Sequence, residues 1–249
     1  MQDILFIVLG LILLVLGGSW LLKSAVALSL RLNIPKIVIG MTVMMIASLL
    51  FFFFIFFDHE IQRYEGVIMV VFLFAFLIYL LRFQKPAVVD EMPEDDVLLP
   101  NYKTALFLIL GGTALWGGSE LLIDGAVGLA SYYGVSERVI AITVVSIGTS
   151  IPELAASVIA VIKKEKAISL GNLIGSNIFN LLAVLGITSI ITPIKVVDLG
   201  LLNNDIFWML GISFLLFPLV FFPKRMRLGK WEGLVLLSVY VVFVYCTIQ

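Results

Sequence analysis

Two polar clusters interrupt apolar stretches in the second half of this 249-residue chain. The first cluster reads Gly-Thr-Ser-Ile-Pro-Glu at residues 148–153, and the second reads Gly-Asn-Leu-Ile-Gly-Ser-Asn-Ile-Phe-Asn at residues 171–180. An ionisable or amide side chain inside a membrane-length apolar segment is energetically costly unless another group compensates for it. A bound cation is the usual compensating group, so the two clusters predict an ion site.

The first cluster supplies only oxygen atoms as ligands. Pro152 has no N–H group, so the carbonyl of Gly148, four residues earlier, loses its helical hydrogen-bond donor. This carbonyl adds to the hydroxyls of Thr149 and Ser150 and the carboxylate of Glu153. Hard oxygen ligands suit Na⁺ or Ca²⁺ and disfavour zinc or copper. The alternative is a proline kink in which both hydroxyls bond back to their own helix.

The second cluster places polar side chains on one helix face. Asn172, Ser176 and Asn180 recur every four residues and therefore share a face. Gly171 and Gly175 form a small-xxx-small pair that lets another helix approach closely. Packing alone explains the glycines. The polar stripe predicts either ion ligation or hydrogen bonding between helices without an ion.

The remaining candidate groups have simpler interpretations. Glu120 and Asp124 predict either a second acidic station or solvated acids at a helix end. His59 is interpreted as a loop histidine. Cys246 is the only cysteine, which excludes an intrachain disulfide and a thiolate metal site. The sequence contains no nucleophile paired with a base and no phosphate-binding loop, so we do not expect an enzyme.

Composition places these clusters in a membrane protein. Hydrophobic residues make up 61% of the chain, and the mean hydropathy is +1.15, which a soluble globular domain of this size does not show. We predict an all-α polytopic membrane protein with about eight transmembrane helices, the first of them a retained helix rather than a signal peptide. The predicted spans are residues 4–28, 37–57, 66–82, 104–130, 138–162, 168–192, 206–222 and 232–247.

The distribution of Lys and Arg predicts the orientation of the chain. With the N-terminus outside, twelve of the 16 basic residues fall in the loops after the first, third, fifth and seventh spans. Only Arg63, Arg138 and Lys195 fall in the opposite loops. Because cytoplasmic loops carry an excess of basic residues, both termini are predicted to lie outside. The cytoplasmic linker at residues 84–102 is acidic, with Asp90, Glu91, Glu94, Asp95 and Asp96.

The chain contains an internal repeat with a shortened first half. Residues 17–22 match residues 117–122, and the match continues after a one-residue slip at an offset of 101. Residues 63–66 match residues 230–233 at an offset of 167, so the first half lacks 167 − 101 = 66 residues. The first half is then predicted to have three spans and the second half five. Because both numbers are odd, the second half enters the membrane from the opposite side, as an inverted repeat requires.

The missing residues would have carried the counterpart of the two clusters. At the offset of 101, Ser48 aligns with Thr149, and Phe52 occupies the position that corresponds to Glu153. The first half therefore lacks both the acid and the Gly-Asn-rich helix. The predicted domains are a truncated first repeat at 1–83, the acidic linker at 84–102 and a complete second repeat at 103–249.

The motifs Gly-Thr-Ser-x-Pro-Glu and Gly-Asn-x-x-Gly-Ser-Asn-x-x-Asn resemble those of the calcium/cation antiporter superfamily, especially the compact prokaryotic sodium/calcium exchangers. The resemblance covers the second half and both flanks of the first. It implies two inverted five-helix repeats, each with such a motif pair, of which this chain has one. By resemblance the metal ligands would be Thr149, Ser150, Glu153, Ser176 and Asn180, with the Ser146 carbonyl as an additional ligand.

The resemblance implies exchange of Ca²⁺ against Na⁺, or against H⁺ or Na⁺ with K⁺, without a cofactor. The alternative is a non-transporting membrane protein that binds a cation or a partner through the second repeat only. The expected partners are the lipid bilayer and inorganic cations but no nucleic acid, and a homo-oligomer that completes the site from two chains is a further hypothesis. The expected location is the inner membrane of a prokaryote.

Overall fold

The computed structural model describes residues 2–32, 37–83, 99–135, 140, 144, 148–197, 200–221 and 228–248. Within these ranges it contains six helices that are long and apolar enough to cross a membrane, and one shorter apolar helix at Ile151–Ile162. The predicted all-α polytopic membrane fold is confirmed. The linker acids, Arg138 and Ser146 lie outside the described residues.

Most elements follow the predicted spans closely, but the predicted single span at 138–162 is interrupted by a turn at Thr149 and Ser150. The helices Lys166–Phe179 and Gly186–Ile191 are joined by a π-helix into one continuous run, Lys166–Ile191, and a second π-helix at Leu201–Asp205 leads into the helix Ile206–Phe221. In chain order the elements are α1 Gln2–Leu32, α2 Ile37–Asp58, β1 Glu60–Ile61, α3 Arg63–Phe83, α4 Asn101–Tyr132, α5 Ile151–Ile162, α6 Lys166–Phe179, π1 Asn180–Leu185, α7 Gly186–Ile191, β2 Ile194–Lys195, π2 Leu201–Asp205, α8 Ile206–Phe221 and α9 Lys230–Ile248.

The chain forms two compact units, each assembled from two chain segments. The first unit comprises Met1–Ile34 and Pro86–Leu173, and the second comprises Pro35–Lys85 and Ile174–Gln249. Each unit therefore contains residues from both of the predicted repeats. The repeat limits at 1–83 and 103–249 stay a prediction from the sequence.

In the first unit, α1 and α4 pack with their backbones in contact. A Cβ atom added to Gly10 would lie 2.7 Å from the Gly118 oxygen, and one added to Gly17 would lie 2.7 Å from the Leu115 nitrogen. Only glycine permits this separation, which is the usual device for close helix packing in membranes. As the residue number rises along α1, that of the contacted α4 residue falls, so the two helices are antiparallel.

In the second unit, the starts of α3 and α9 carry the same hydrogen bond. The buried carboxylate of Glu65 accepts from the Gln62 N–H at 2.8 Å, and the buried carboxylate of Glu232 accepts from the Gly229 N–H at 2.8 Å. These residues correspond at the offset of 167 found in the sequence. Each acid satisfies a backbone donor that the first helical turn leaves without a partner.

The core of the second unit is apolar and includes a short β-ribbon. Buried side chains such as Met41, Ile55, Met69 and Leu182 form one cluster. Strands β1 and β2 pair antiparallel, with Glu60 opposite Lys195. This pairing joins the loop that follows α2 to the loop that follows α7.

Candidate cation site

A break in the helix marks the first polar cluster. Gly148 is helical, Thr149 and Ser150 form a turn, and α5 begins at Ile151. Ser150, the residue before α5, has φ −98° and ψ −1°. Pro152 lies in the first turn of α5, where backbone N–H groups have no acceptor within the helix, so a residue without an N–H costs no hydrogen bond there. Pro152 therefore starts a new helix rather than kinking a continuous one. The side chains of Thr149 and Ser150 are exposed.

The Gly148 carbonyl differs from the sequence expectation, because it has a hydrogen-bond partner. The Ser119 Oγ of α4 donates to this oxygen at 3.0 Å, and the bond is buried. The carbonyl is therefore not left without a donor by the missing N–H of Pro152. Sequence reasoning missed Ser119 as a site residue although it belongs to the repeated Gly-Gly-Ser motif at 117–119.

Helix α4 also contacts Gly148 through a second side chain. A Cβ atom at Gly148 would collide with Ile123 Cγ1 and would lie 2.6 Å from Ile123 Cδ1. Ser119 and Ile123 are four residues apart, so they lie on the same face of α4. Two successive turns of α4 thus fix the position of the residue that precedes the break.

Glu153 has an unsatisfied carboxylate oxygen in the first turn of α5. Its Oε2 atom is buried and has no hydrogen-bond partner among the residues that the structure describes. A buried acceptor without a donor is unfavourable, and an ionised carboxylate is more so. The position in the first helical turn favours negative charge through the helix dipole. The carboxylate is therefore suited to act as a ligand for a cation.

Asn172 joins α6 to α5 by hydrogen bonds instead of presenting a free amide. Its Nδ2 donates to the Glu153 backbone oxygen at 3.2 Å and to Ser157 Oγ at 3.0 Å. Ser157 is buried. Of the two interpretations of the polar stripe, hydrogen bonding between helices holds for Asn172, which was not among the predicted ligands.

Ser176 and Asn180 belong to the second compact unit, whereas Thr149, Ser150 and Glu153 belong to the first. Ser176 is half-buried on α6. Asn180 is exposed and is the first residue of π1. Single π-helical turns are rare in proteins as a whole, but those that occur are often at functional sites.

The first-half residues that align with the acidic motif make packing contacts. Phe52 contacts Phe207 edge to face, with ring centroids 5.8 Å apart. Ser48 is buried, and its Oγ lies 3.3 Å from Ser213 Oγ. Both positions lie in the second unit. The alignment of Phe52 with Glu153 therefore corresponds to an aromatic contact and not to a second acid.

The other candidate acids do not form a cluster with Glu153. Glu120 and Asp124 are exposed on α4, which favours solvated acids over a second acidic station. His59 is an exposed loop residue with φ 53°. Within the described ranges, no group of three or more His, Cys, Asp or Glu side chains is arranged to hold a metal. An ion at Glu153 would therefore depend on hydroxyl, amide and carbonyl oxygens.

Comparison with known proteins assigns the chain to a family. The family model described as sodium/calcium exchanger protein matches residues 103–249. CaxA from Alkalimonas amylolytica is 35% identical over 248 residues, which covers 94% of this chain and 73% of CaxA. The chain belongs to the sodium/calcium exchanger family. Proteins of this family are transporters and not enzymes.

Further relatives of this exchanger family match over different lengths. The sodium/calcium exchanger MaX1 from Methanosarcina acetivorans is 34% identical over 141 residues, which covers 57% of this chain and 39% of MaX1. A solved structure of the sodium-calcium exchanger NCX_Mj matches with a TM-score of 0.73 and 21% sequence identity, covering 98% of each chain. This likeness shows that the two proteins share a fold.

Proposed function

We propose that this member of the sodium/calcium exchanger family binds Ca²⁺ at Glu153 and exchanges it against Na⁺ across the membrane. The observation that carries the proposal is the buried Glu153 Oε2 atom, which lacks a hydrogen-bond partner among the described residues. Family membership supports cation transport. The names of MaX1 and NCX_Mj, which specify sodium and calcium, support these two ions.

The local chemistry supports competition between the two ions. Ca²⁺ takes about six to eight oxygen ligands and tolerates irregular geometry, so hydroxyl groups can complete its shell beside a carboxylate. Thr149 and Ser150 lie in the turn just before the helix that carries Glu153. The same hard oxygens accept Na⁺. Since the ions share ligands, binding of one excludes the other, which exchange requires. Ser176 and Asn180 stay sequence-based predictions as ligands.

The test is uptake of ⁴⁵Ca²⁺ into proteoliposomes loaded with Na⁺. We expect wild-type uptake to require the Na⁺ gradient and Glu153→Gln to abolish it, because the neutral amide removes the charge that compensates the ion. Glu120→Gln is the matched control, since Glu120 is exposed on α4, and its uptake is expected to equal that of the wild type. Gradient-dependent uptake that persists in Glu153→Gln would refute the role of Glu153.

A second candidate function is cation binding without transport. The Phe52–Phe207 contact favours it, because the first half then contributes packing at the position that corresponds to Glu153. This function predicts that Ca²⁺ raises the thermal unfolding midpoint of the wild type but not of Glu153→Gln, while vesicles show no counterflow. The uptake assay and the unfolding assay together distinguish the two functions.

A further inference from the structure

Ser119 supplies the hydrogen bond that proline removes from the break. Within a regular helix the Gly148 carbonyl would accept from residue 152, but that residue is Pro152 and has no N–H group. Ser119 Oγ, from a separate helix 29 positions earlier in the chain, donates to this carbonyl instead at 3.0 Å. The Ser119 residue is only 5% exposed, so water does not readily replace the bond.

The bond and the Ile123 contact restrict the backbone next to the hydroxyl ligands. A hydrogen bond fixes the direction of the Gly148 carbonyl, and this direction sets the peptide plane from which Thr149 continues. Ile123 packs against the Gly148 Cα on the same face of α4, so the residue is held at two points. Thr149 and Ser150 lack helical structure of their own and follow directly. Their geometry therefore depends on α4.

We propose that Ser119 is a positioning residue for the cation site: its hydroxyl holds the Gly148 carbonyl and thereby orients the Thr149–Ser150 turn that supplies oxygen ligands. This inference rests on the proposed function, in which Thr149 and Ser150 contribute ligands to the ion; the hydrogen bond to Gly148 does not depend on it. It assigns to α4 a direct part in shaping the site. Binding of a cation at the turn and the hydrogen bond on Gly148 then favour the same backbone conformation.

The variant Ser119→Ala tests the bond without adding bulk. Ser24→Ala is the matched control, because Ser24 is also a buried serine of the first unit, but its hydroxyl donates within its own helix to the Leu21 oxygen at 2.7 Å. Hydrogen–deuterium exchange measures the peptide that covers residues 148–154 in the full-length protein. We expect Ser119→Ala to raise exchange there about fivefold, as loss of one neutral hydrogen bond implies, and Ser24→Ala to leave it unchanged.

Two results would overturn the positioning role. One is unchanged exchange of the 148–154 peptide in Ser119→Ala, and the other is an equal rise throughout α4 and α5, which indicates general destabilisation. Ser119→Thr retains the hydroxyl and is expected to keep exchange close to the wild-type rate. These measurements do not require the protein to transport ions.

Transport provides the second readout. If the wild type takes up Ca²⁺ in a Glu153-dependent manner, Ser119→Ala is expected to raise the apparent KM for Ca²⁺ about fivefold with a smaller change in the maximal rate. An unchanged KM contradicts the inference while leaving the proposed function intact. Absence of wild-type uptake contradicts the proposed function, and deuterium exchange alone then decides whether Ser119 positions the turn.

Discussion

Gly148 combines two structural requirements in a single residue. Its carbonyl must reach Ser119 Oγ, and its Cα must pass close to the Ile123 side chain. The first requirement concerns direction and any residue could meet it. The second concerns volume, because a Cβ atom at residue 148 would overlap the Ile123 side chain and force that side chain to shift.

Gly148→Ala is therefore expected to destabilise the protein by about 1–3 kcal/mol, the usual cost of excess volume in a packed interior. The measurement is the free energy of unfolding in detergent for Gly148→Ala, Ile123→Ala and the double variant. Removing the Ile123 side chain creates the missing space, so the double variant should be more stable than the sum of the single effects predicts. Strictly additive effects would show that the Ile123 contact is not the cause.

Interactions between residues distant in sequence were the part that sequence could not predict. The oxygen-rich character of the 148–153 cluster follows from residue type alone, and Gly148 and Pro152 indicated a weakened helix there, although one continuous span was predicted. The donor to Gly148 does not follow, because it depends on the rotation of α4 about its axis, and the hydropathy of α4 is too uniform to define one buried face. Hydrogen bonding between helices was one of the two interpretations of the Asn172 stripe, but its partners, the Glu153 backbone oxygen and Ser157 Oγ, were not predicted.

At the scale of helices, the predicted spans agree with the structure because bilayer thickness constrains length strongly. Span 37–57 corresponds to α2 at Ile37–Asp58, and span 168–192 corresponds to the run Lys166–Ile191. Span 138–162 was predicted as one helix, but the break at Thr149–Ser150 separates α5 from the residues before it. Local backbone chemistry decides this point, and apolar length does not.

The α1–α4 pair supplies a sharp test of helix packing, because α4 carries adjacent glycines in opposite environments. A Cβ atom at Gly118 would lie 2.9 Å from the Gly10 oxygen, whereas one at Gly117 would meet nothing within 4 Å. We expect Gly118→Ala to lower the free energy of unfolding by about 1–3 kcal/mol through overpacking. Gly117→Ala should be neutral or stabilising by up to about 1 kcal/mol, because alanine is the better helix former.

Unfolding in detergent, followed by circular dichroism, measures both variants under identical conditions. The comparison removes the effect of helix propensity, since the two residues are neighbours on one helix. Equal stabilities of Gly118→Ala and Gly117→Ala would contradict backbone contact between α1 and α4. A lower stability for Gly118→Ala alone would show that this contact holds the first unit together.

At the scale of the whole molecule, each compact unit combines segments from both of the repeats predicted from the sequence. In the first unit α1 comes from the first half and α4 from the second, and the two helices are antiparallel. An inverted repeat produces this relation when related helices pack against each other. The matching Glu65 and Glu232 hydrogen bonds in the second unit agree with the same duplication.

The orientation of the molecule can be tested with its single native cysteine. Cys246 lies in the last turns of α9, is exposed and has no second cysteine to compete with it. The excess of basic residues in the loops after odd-numbered spans predicts that this end of α9 lies outside. A membrane-impermeant maleimide should therefore label Cys246 in intact cells without permeabilisation.

The opposite side is reported by Lys163→Cys in a Cys246→Ser background. Lys163 is exposed in the turn between α5 and α6, which the same charge rule places in the cytoplasm. Labelling of this variant should require permeabilised cells. If Lys163→Cys reacts in intact cells and Cys246 does not, the orientation is reversed, and if both react from both sides, the chain inserts in two orientations. The second result would supply the antiparallel partners that a site shared between two inverted chains requires.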